Sequence, residues 1–457
     1  MQKPVHFLIF GCLLAVLLTA CAASAAPQAA ATSAPAQPAV ELTPLPTFTA
    51  LASDSTAAST SAPSSIPTTA PATAAPPTAA LSAATAIPTR AAGPAVVLDQ
   101  IHMLNAHDGW GWAAQQGALS QLLRTGDGGQ TWTDVSPKPG SGSAYNYYGS
   151  FFLDGQTAWL TYFDSTANNG GLLYTKDGGQ NWSNLPPNQY LQNARVQFSS
   201  ATDGVAETAD MGAGQAHLTY YQTQDAGNTW KVVAISAPNP EDGMPAGTLH
   251  LCNICGDQLY YDPARVIIAQ GDMANDPVGV VRISVSADLG KTWTNLQLAL
   301  PAKYAGGSVA PMQPVFFGQT GLLPVNIIKY DQKNALTFSA LVVYVSQDGG
   351  QTWQPAPGEL ENPLSQINNV QILSAKDVFV VCGKNLCASN DGAQTWKTLS
   401  GSLNFDQSTG AADAVTMFNF IDPQNGWAVS GQSGATTLWQ SQDGGATWAK
   451  MSPTLNK

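Results

Sequence analysis

SQDGGQTW, Ser346 to Trp353, is the stretch whose reading decides the fold. An aspartate followed by two glycines calls for a tight reversal, because glycine reaches positive φ without steric cost, and Thr-Trp favours the extended chain beyond it. The same words return as TGDGGQTW ending at Trp132, TKDGGQNW at Trp182, TQDAGNTW at Trp230, SADLGKTW at Trp293, SNDGAQTW at Trp396 and SQDGGATW at Trp448. A catalytic acid is needed once, whereas a fold element is needed once per unit. Asp127, Asp177, Asp225, Asp288, Asp348, Asp391 and Asp443 are therefore read as structural, each accepting N–H groups of its own turn, with each indole packed between sheets.

Outward from the turn, the seven tryptophans are separated by 50, 48, 63, 60, 43 and 52 residues, so each interval is one repeat. The last repeat shows the internal pattern best: VTMFNFID, GWAVSGQ, TLWQSQD and ATWAKMS are short runs rich in β-branched and aromatic residues, with turn residues between them. Thr of the repeated turn is expected to open the fourth strand. Runs such as ALVVYVS, Ala340 to Ser346, are apolar on both faces, as in a sheet sandwiched between sheets. A radial array supplies those neighbours, so the predicted fold is all-β, a seven-bladed propeller with four antiparallel strands per blade. The ring need not borrow a strand to close, although Ala95 to Leu98 is placed to pair with the last one.

The pattern S/T-x-D-x-G-x-T-W resembles the Asp-box, or BNR repeat, of sialidases, sortilin-type receptors, xyloglucanases and the photosystem II assembly-factor family. Phe418 to Trp448 is most similar to the last of these. The Gly-Trp signature of strand two stands at Gly109-Trp110 and Gly426-Trp427, and blades three to six depart from it. The resemblance implies that function lies on the face opposite the Asp-boxes.

The rest of the chain sets the context. Residues 1–20 carry Lys3 and the apolar run Phe7 to Leu18, which describes an export signal. Leu18-Thr19-Ala20-Cys21 resembles the lipobox of bacterial lipoproteins, which implies lipidation at Cys21 and a membrane-anchored cell-surface protein. Residues 21–95 are almost entirely Ala, Thr, Ser and Pro, a composition expected to stay disordered and to serve as a stalk with a reach on the order of 50 Å. Residues 96–457 hold the predicted propeller. All but two of the 30 acidic residues lie there, against a net charge of −12 for the chain, which argues against nucleic-acid partners.

Beyond Cys12 and Cys21 the cysteines form two close pairs, Cys252/Cys255 and Cys382/Cys387. Disulfides are the first expectation for an exported chain. A shared zinc site and a redox motif at Cys252-Asn-Ile-Cys255 are the alternatives, and both spacings fit them poorly.

Candidate ligand-binding residues come from the segments assigned to loops opposite the Asp-boxes: Tyr145, Tyr147, Tyr148, Asp164, Asp210, Asp272, Asp276, Glu359 and Glu361. Aromatic and carboxylate side chains together suit a protein or glycan ligand. Sialidase chemistry would need three clustered arginines, yet the chain has five arginines, of which Arg195 and Arg265 are placed to approach the channel. The reading is a non-enzymatic protein- or glycan-binding platform without metal or cofactor. The alternative is a glycan-processing hydrolase using a carboxylate pair on that same face.

Overall fold

The computed structural model describes residues 93–457 except 116–117, 141–142, 144, 187–190, 192, 213–214, 236–248, 252–256, 273–278, 334, 362–368, 400, 408–409 and 457. Residues 21–92 of the expected stalk, with Cys21, and also Cys252, Cys255 and Asp276 lie outside the described residues.

Seven antiparallel sheets follow one another along the chain, one per repeat. Blade seven is the plainest, with strands Val415–Phe420, Gly426–Ser430, Thr437–Ser441 and Ala449–Lys450 falling on the four predicted runs. Blade three is longer, pairing Gly204–Gly212 with Gln215–Thr223, and blade five longer still, pairing Thr320–Tyr330 with Leu336–Ser346. The segment around Asp210, expected as a loop, is thus mostly ladder, because each strand keeps finding its partner until the reversal.

The hydrophobic core is divided in a way that proves the ring. Among the described residues it forms seven clusters, and each spans two adjacent blades. The cluster that joins blade seven to blade one, with Trp427, Val429 and Leu438 against Ile101, Leu123 and Trp132, is built like the others. Each sheet therefore buries both faces, which explains the two-sided apolar strands.

The Asp-box turns are nearly identical. Asp127 Oδ1 accepts from the N–H of Thr131 at 2.9 Å and of Gln130 at 3.1 Å, while Oδ2 accepts from the Thr131 hydroxyl at 2.6 Å. Thr125, two residues earlier and 2% exposed, donates its hydroxyl to Asp127 at 2.9 Å and accepts from Gly129 N–H at 3.0 Å. In blade two Asn181 replaces the threonine and donates its amide to Asp177 Oδ2 at 2.7 Å. The two residues after each aspartate have positive φ, as in Gly128 at 75° and Gly129 at 90°, which is the reversal that joins twisted strands. Because the carboxylate ties the threonine into the turn, the fourth strand begins after the tryptophan in six blades rather than at the threonine. Blade one differs: Thr131 is in the ladder because the C-terminal residues Thr454–Leu455 pair with it.

That pairing closes the ring. Thr454 and Leu455 run parallel to Thr131 and Trp132, Ala95 bridges Thr454, and Leu455 N–H donates to the Pro94 carbonyl at 2.8 Å. The N-terminal segment thus does pair at the seam, with the tail beyond the last blade rather than with strand Ala449–Lys450. A second set of links protects the innermost strands, whose channel-side edges lack a ladder partner. Gln371 of blade six donates to Phe420 O at 2.8 Å and accepts from Phe420 N–H at 2.7 Å in blade seven. Asn419 of blade seven accepts from Met103 N–H of blade one at 2.5 Å, and Gln313 of blade five donates to Leu259 O of blade four at 2.8 Å.

Candidate functional site

In six blades the Asp-box donates one backbone bond to the turn between strands one and two of its own blade, as from Gly128 N–H to His107 O at 2.9 Å and from Gly444 N–H to Gln424 O at 2.8 Å. These two kinds of turn therefore share one face. The other face carries the reversals between strands two and three and the blade-to-blade connections.

On that face the predicted residues separate into distinct fates. Tyr145, Tyr147 and Tyr148 lie on the innermost strand of blade two, Tyr145–Phe152, and not in a loop, because aromatic residues continue the ladder to Asp164 on strand two. Tyr145 is buried against Tyr162, ring centroids 4.4 Å apart, and Tyr147 packs against Trp112 at 5.5 Å. Burial, with Tyr145 and Asp134 adding to it, pushes the Tyr147 hydroxyl far above the usual phenol range, so it stays protonated. Tyr148 is the extra residue of a β-bulge, since Tyr147 opposes Tyr162 and Gly149 opposes Thr161. It leaves the ladder and is 58% exposed. Bulges of this kind re-aim one side chain away from the sheet.

The carboxylates are largely occupied by structure. Asp164 accepts from Thr166 N–H at 2.9 Å and Ala167 N–H at 3.2 Å, closing its turn. Asp272 accepts from Gly279 and Val309 N–H, both at 2.8 Å, tying blade four to blade five. Glu359 and Glu361 meet around Lys303, which pairs with both. The Tyr304 hydroxyl also donates to Glu359 at 2.9 Å, so this group staples the blade four-to-five connection to the one after blade five. Asp210 pairs with His217 in the ladder, and its side chain lies outside the described residues.

The two arginines part company. Arg265 is 6% exposed, pairs with Asp262 at 3.2 Å, donates to Gly318 O at 2.9 Å and lies over the Phe316 ring at 4.7 Å. It is a strut between blades four and five rather than a channel residue, because it starts strand two at the Asp-box end. Arg195 does line a cavity of about 290 Å³, together with Gly149, Ser150, Phe151, Gln197, Glu207, Gln258 and Gln313.

Among the described residues, none of the predicted ligand residues lines that cavity. Glu207 is the residue that the sequence reading missed. The repeat held a signal for it: counted from the Ser or Thr that precedes each Asp-box, the same strand-two position is Trp112, Thr161, Ala269, Pro324, Val381 or Val429 in the other blades. Only blade three places a charge there. Burial raises the Glu207 pKa above the ordinary carboxylate value, and Arg195, directly opposite in the ladder, opposes this without overcoming it.

Cys382 and Cys387 form a disulfide across the hairpin of blade six, as the sequence suggested. Among the described residues no group of His, Cys, Asp and Glu is arranged to hold a metal ion.

Comparison with family models agrees with this architecture. Residues 89–246 match the family model described as photosynthesis system II assembly factor YCF48, and residues 344–355 match the BNR/Asp-box repeat. No curated protein sequence matches the chain. Among solved structures, YCF48 bound to D1 peptide is 18% identical with a TM-score of 0.42, covering 76% of this chain and 94% of that one. The GH74 xyloglucanase from Xanthomonas campestris is 15% identical with a TM-score of 0.44, covering 78% and 55%. The GH93 alpha-L-arabinofuranosidase of Fusarium graminearum is 13% identical with a TM-score of 0.37, covering 68% and 95%. The turns, the seven sheets and the two family matches identify the chain as a seven-bladed Asp-box β-propeller, similar over residues 89–246 to the photosystem II assembly-factor family.

Proposed function

We propose that the propeller is a non-enzymatic platform that binds a protein partner on the face opposite its Asp-boxes, and that Cys21 holds it at the bacterial cell surface. The observation that carries the reading is Tyr148: a large aromatic lifted out of the innermost strand by a bulge, 58% exposed and next in sequence to the cavity residues Gly149 and Ser150. Exposed tyrosines of this kind are common anchors at interfaces, since they contribute large contact area with little rotamer entropy. The family description over residues 89–246, an assembly factor, is consistent with a protein partner. Asp164, Asp272, Glu359 and Glu361, the carboxylates a glycosidase would draw on, are held in turns and ion pairs. The surface location rests on the sequence of residues 1–21 alone.

The test is affinity capture on the full chain followed by titration of the captured protein. Tyr148→Ala is expected to weaken binding by about tenfold or more while leaving the melting temperature unchanged. Equal binding by the variant would overturn the docking face. Release of sugar from plant or host glycans by the full chain would favour the hydrolase alternative instead.

A further inference from the structure

We infer that the cavity lined by the inner strands of blades two to four and by Gln313 of blade five is a receptor for a cationic side chain, an arginine or lysine of the protein partner, with Glu207 as its counter-charge. The inference rests on the platform reading above and names the chemistry of its ligand.

The charge set against Glu207 is that of Arg195, which faces it across the ladder. Val205, in the same strand and two residues away, packs with Leu259 and Tyr261 of blade four, so the face that Glu207 shares with it is the one turned to that blade. Its ladder neighbours are Arg195 on the inner side and the fully buried Tyr220 on the other. Glu207 makes no hydrogen bond or ion pair with any described residue. A half-buried carboxylate left in this state is destabilising, and a fold that retains it where the other blades use Trp, Thr, Ala, Pro or Val has a use for the charge.

Around it the cavity offers Ser150 and the amides of Gln197, Gln258 and Gln313, which bear carbonyl oxygens able to accept from a guanidinium or ammonium. Gln313 is already fixed by its bond to Leu259 O, so its own oxygen is preoriented. Arg195 is exposed to water, where its field is screened, whereas Glu207 sits deeper. Burial is what raises the Glu207 pKa, and Arg195 offsets it only in part. At about 290 Å³ the space suits one long side chain rather than a whole folded element. The acidic domain as a whole would favour the approach of a basic partner.

The experiment titrates the full chain with four capped pentapeptides, acetyl-Ala-Ala-X-Ala-Ala-amide, where X is arginine, lysine, leucine or glutamate, by saturation-transfer NMR and calorimetry. The arginine and lysine peptides are expected to bind at least about tenfold more tightly than the leucine and glutamate ones, as a charge-assisted contact predicts. Glu207→Gln is expected to erase that difference, Arg195→Gln to enlarge it several-fold, and Glu359→Gln, remote in the Lys303 staple, to leave it unchanged. Binding of the cationic peptides is also expected to fall on acidification at a higher pH than an ordinary glutamate would give. Equal binding of the arginine and leucine peptides, or cation selectivity that survives Glu207→Gln, overturns the inference. If that happens while a Tyr148-dependent partner is still captured, the platform stands and the cation receptor alone is wrong.

Discussion

The indole N–H of Trp427, on strand two of blade seven, donates a 3.1 Å hydrogen bond to the carbonyl oxygen of Gly128, in the Asp-box of blade one. The two residues are at opposite ends of the propeller sequence, and the bond crosses the seam where the ring closes. Trp159 makes the same bond from blade two to Ala226 of blade three at 3.0 Å. The Asp-boxes of blades one and three therefore serve two blades each: the carboxylate organises its own turn, and a carbonyl of that turn receives the neighbour's tryptophan, whereas the equivalent Trp110 donates to Asp154 O.

Trp427→Phe keeps most of the ring and deletes the donor, leaving the Gly128 carbonyl unpaired at a buried position. A loss of about 1–2 kcal/mol is expected from denaturant unfolding. Trp427→Ala should cost about 3–5 kcal/mol, because the indole is fully buried in the seam cluster. A wild-type midpoint for Trp427→Phe would show that the bond is dispensable.

Removal of residues 453–457 strips the parallel strand from blade one and its bonds to Pro94 and Val96. Hydrogen exchange should accelerate at residues 94–98 and 131–134 while blades three to five keep their protection. Uniform protection across all seven blades after truncation would mean that the seam cluster alone closes the ring.

Acid should loosen the turns within a defined window. The N–H and then the hydroxyl of Thr292 hold Asp288 down to about 2 from its ordinary 3.8. Asp177, Asp348, Asp391 and Asp443 shift the same way, led by the side chain four residues on. In Asp127 and Asp225 burial works against the shift, and the threonine donors prevail. A carboxylate whose pKa is depressed by folding contributes stability that is complete above the unfolded pKa and disappears as pH falls through the folded one. The urea midpoint should hold steady down to about pH 4 and decline between about pH 4 and pH 2. Asp288→Asn should flatten part of that decline.

Ala226, Leu289 and Ala393 occupy left-handed turn positions that glycine fills in other boxes, at φ of 63°, 59° and 64°. Ala226→Gly is expected to stabilise by roughly 0.5–1 kcal/mol through relief of that strain. The reverse change at Gly444 should destabilise by more, since a Cβ there would sit 2.7 Å from the Pro423 carbonyl oxygen at φ +71°. Thermal denaturation of the two variants separates the effects, and a stabilised Gly444→Ala would contradict the turn geometry.

How far the sequence could be read follows from how far its interactions reach. Everything that makes an Asp-box lies within eight residues, Ser or Thr to Trp, with bonds from i to i+2, i+3 or i+4, so the turns, their structural role and the number of blades were legible from spacing alone. The four runs of blade seven were legible for the same reason. Loop boundaries were not. Tyr145 to Tyr148 reads as loop until Asp164 and its neighbours are brought alongside, and the outer strand of blade one begins early only because Thr454 lies beside Thr131. The signal in Glu207 could have been found by aligning the repeats position by position, yet its setting depends on Arg195, Tyr220 and a cavity to which blades two to five contribute. The sequence by itself determined the repeating hairpin, because local backbone chemistry suffices to make it. Only the tertiary structure decided which strands close the ring, which carboxylates are spent in staples and which one faces the cavity, because each of those outcomes is set by groups far apart in the chain that meet only when the sheets pack.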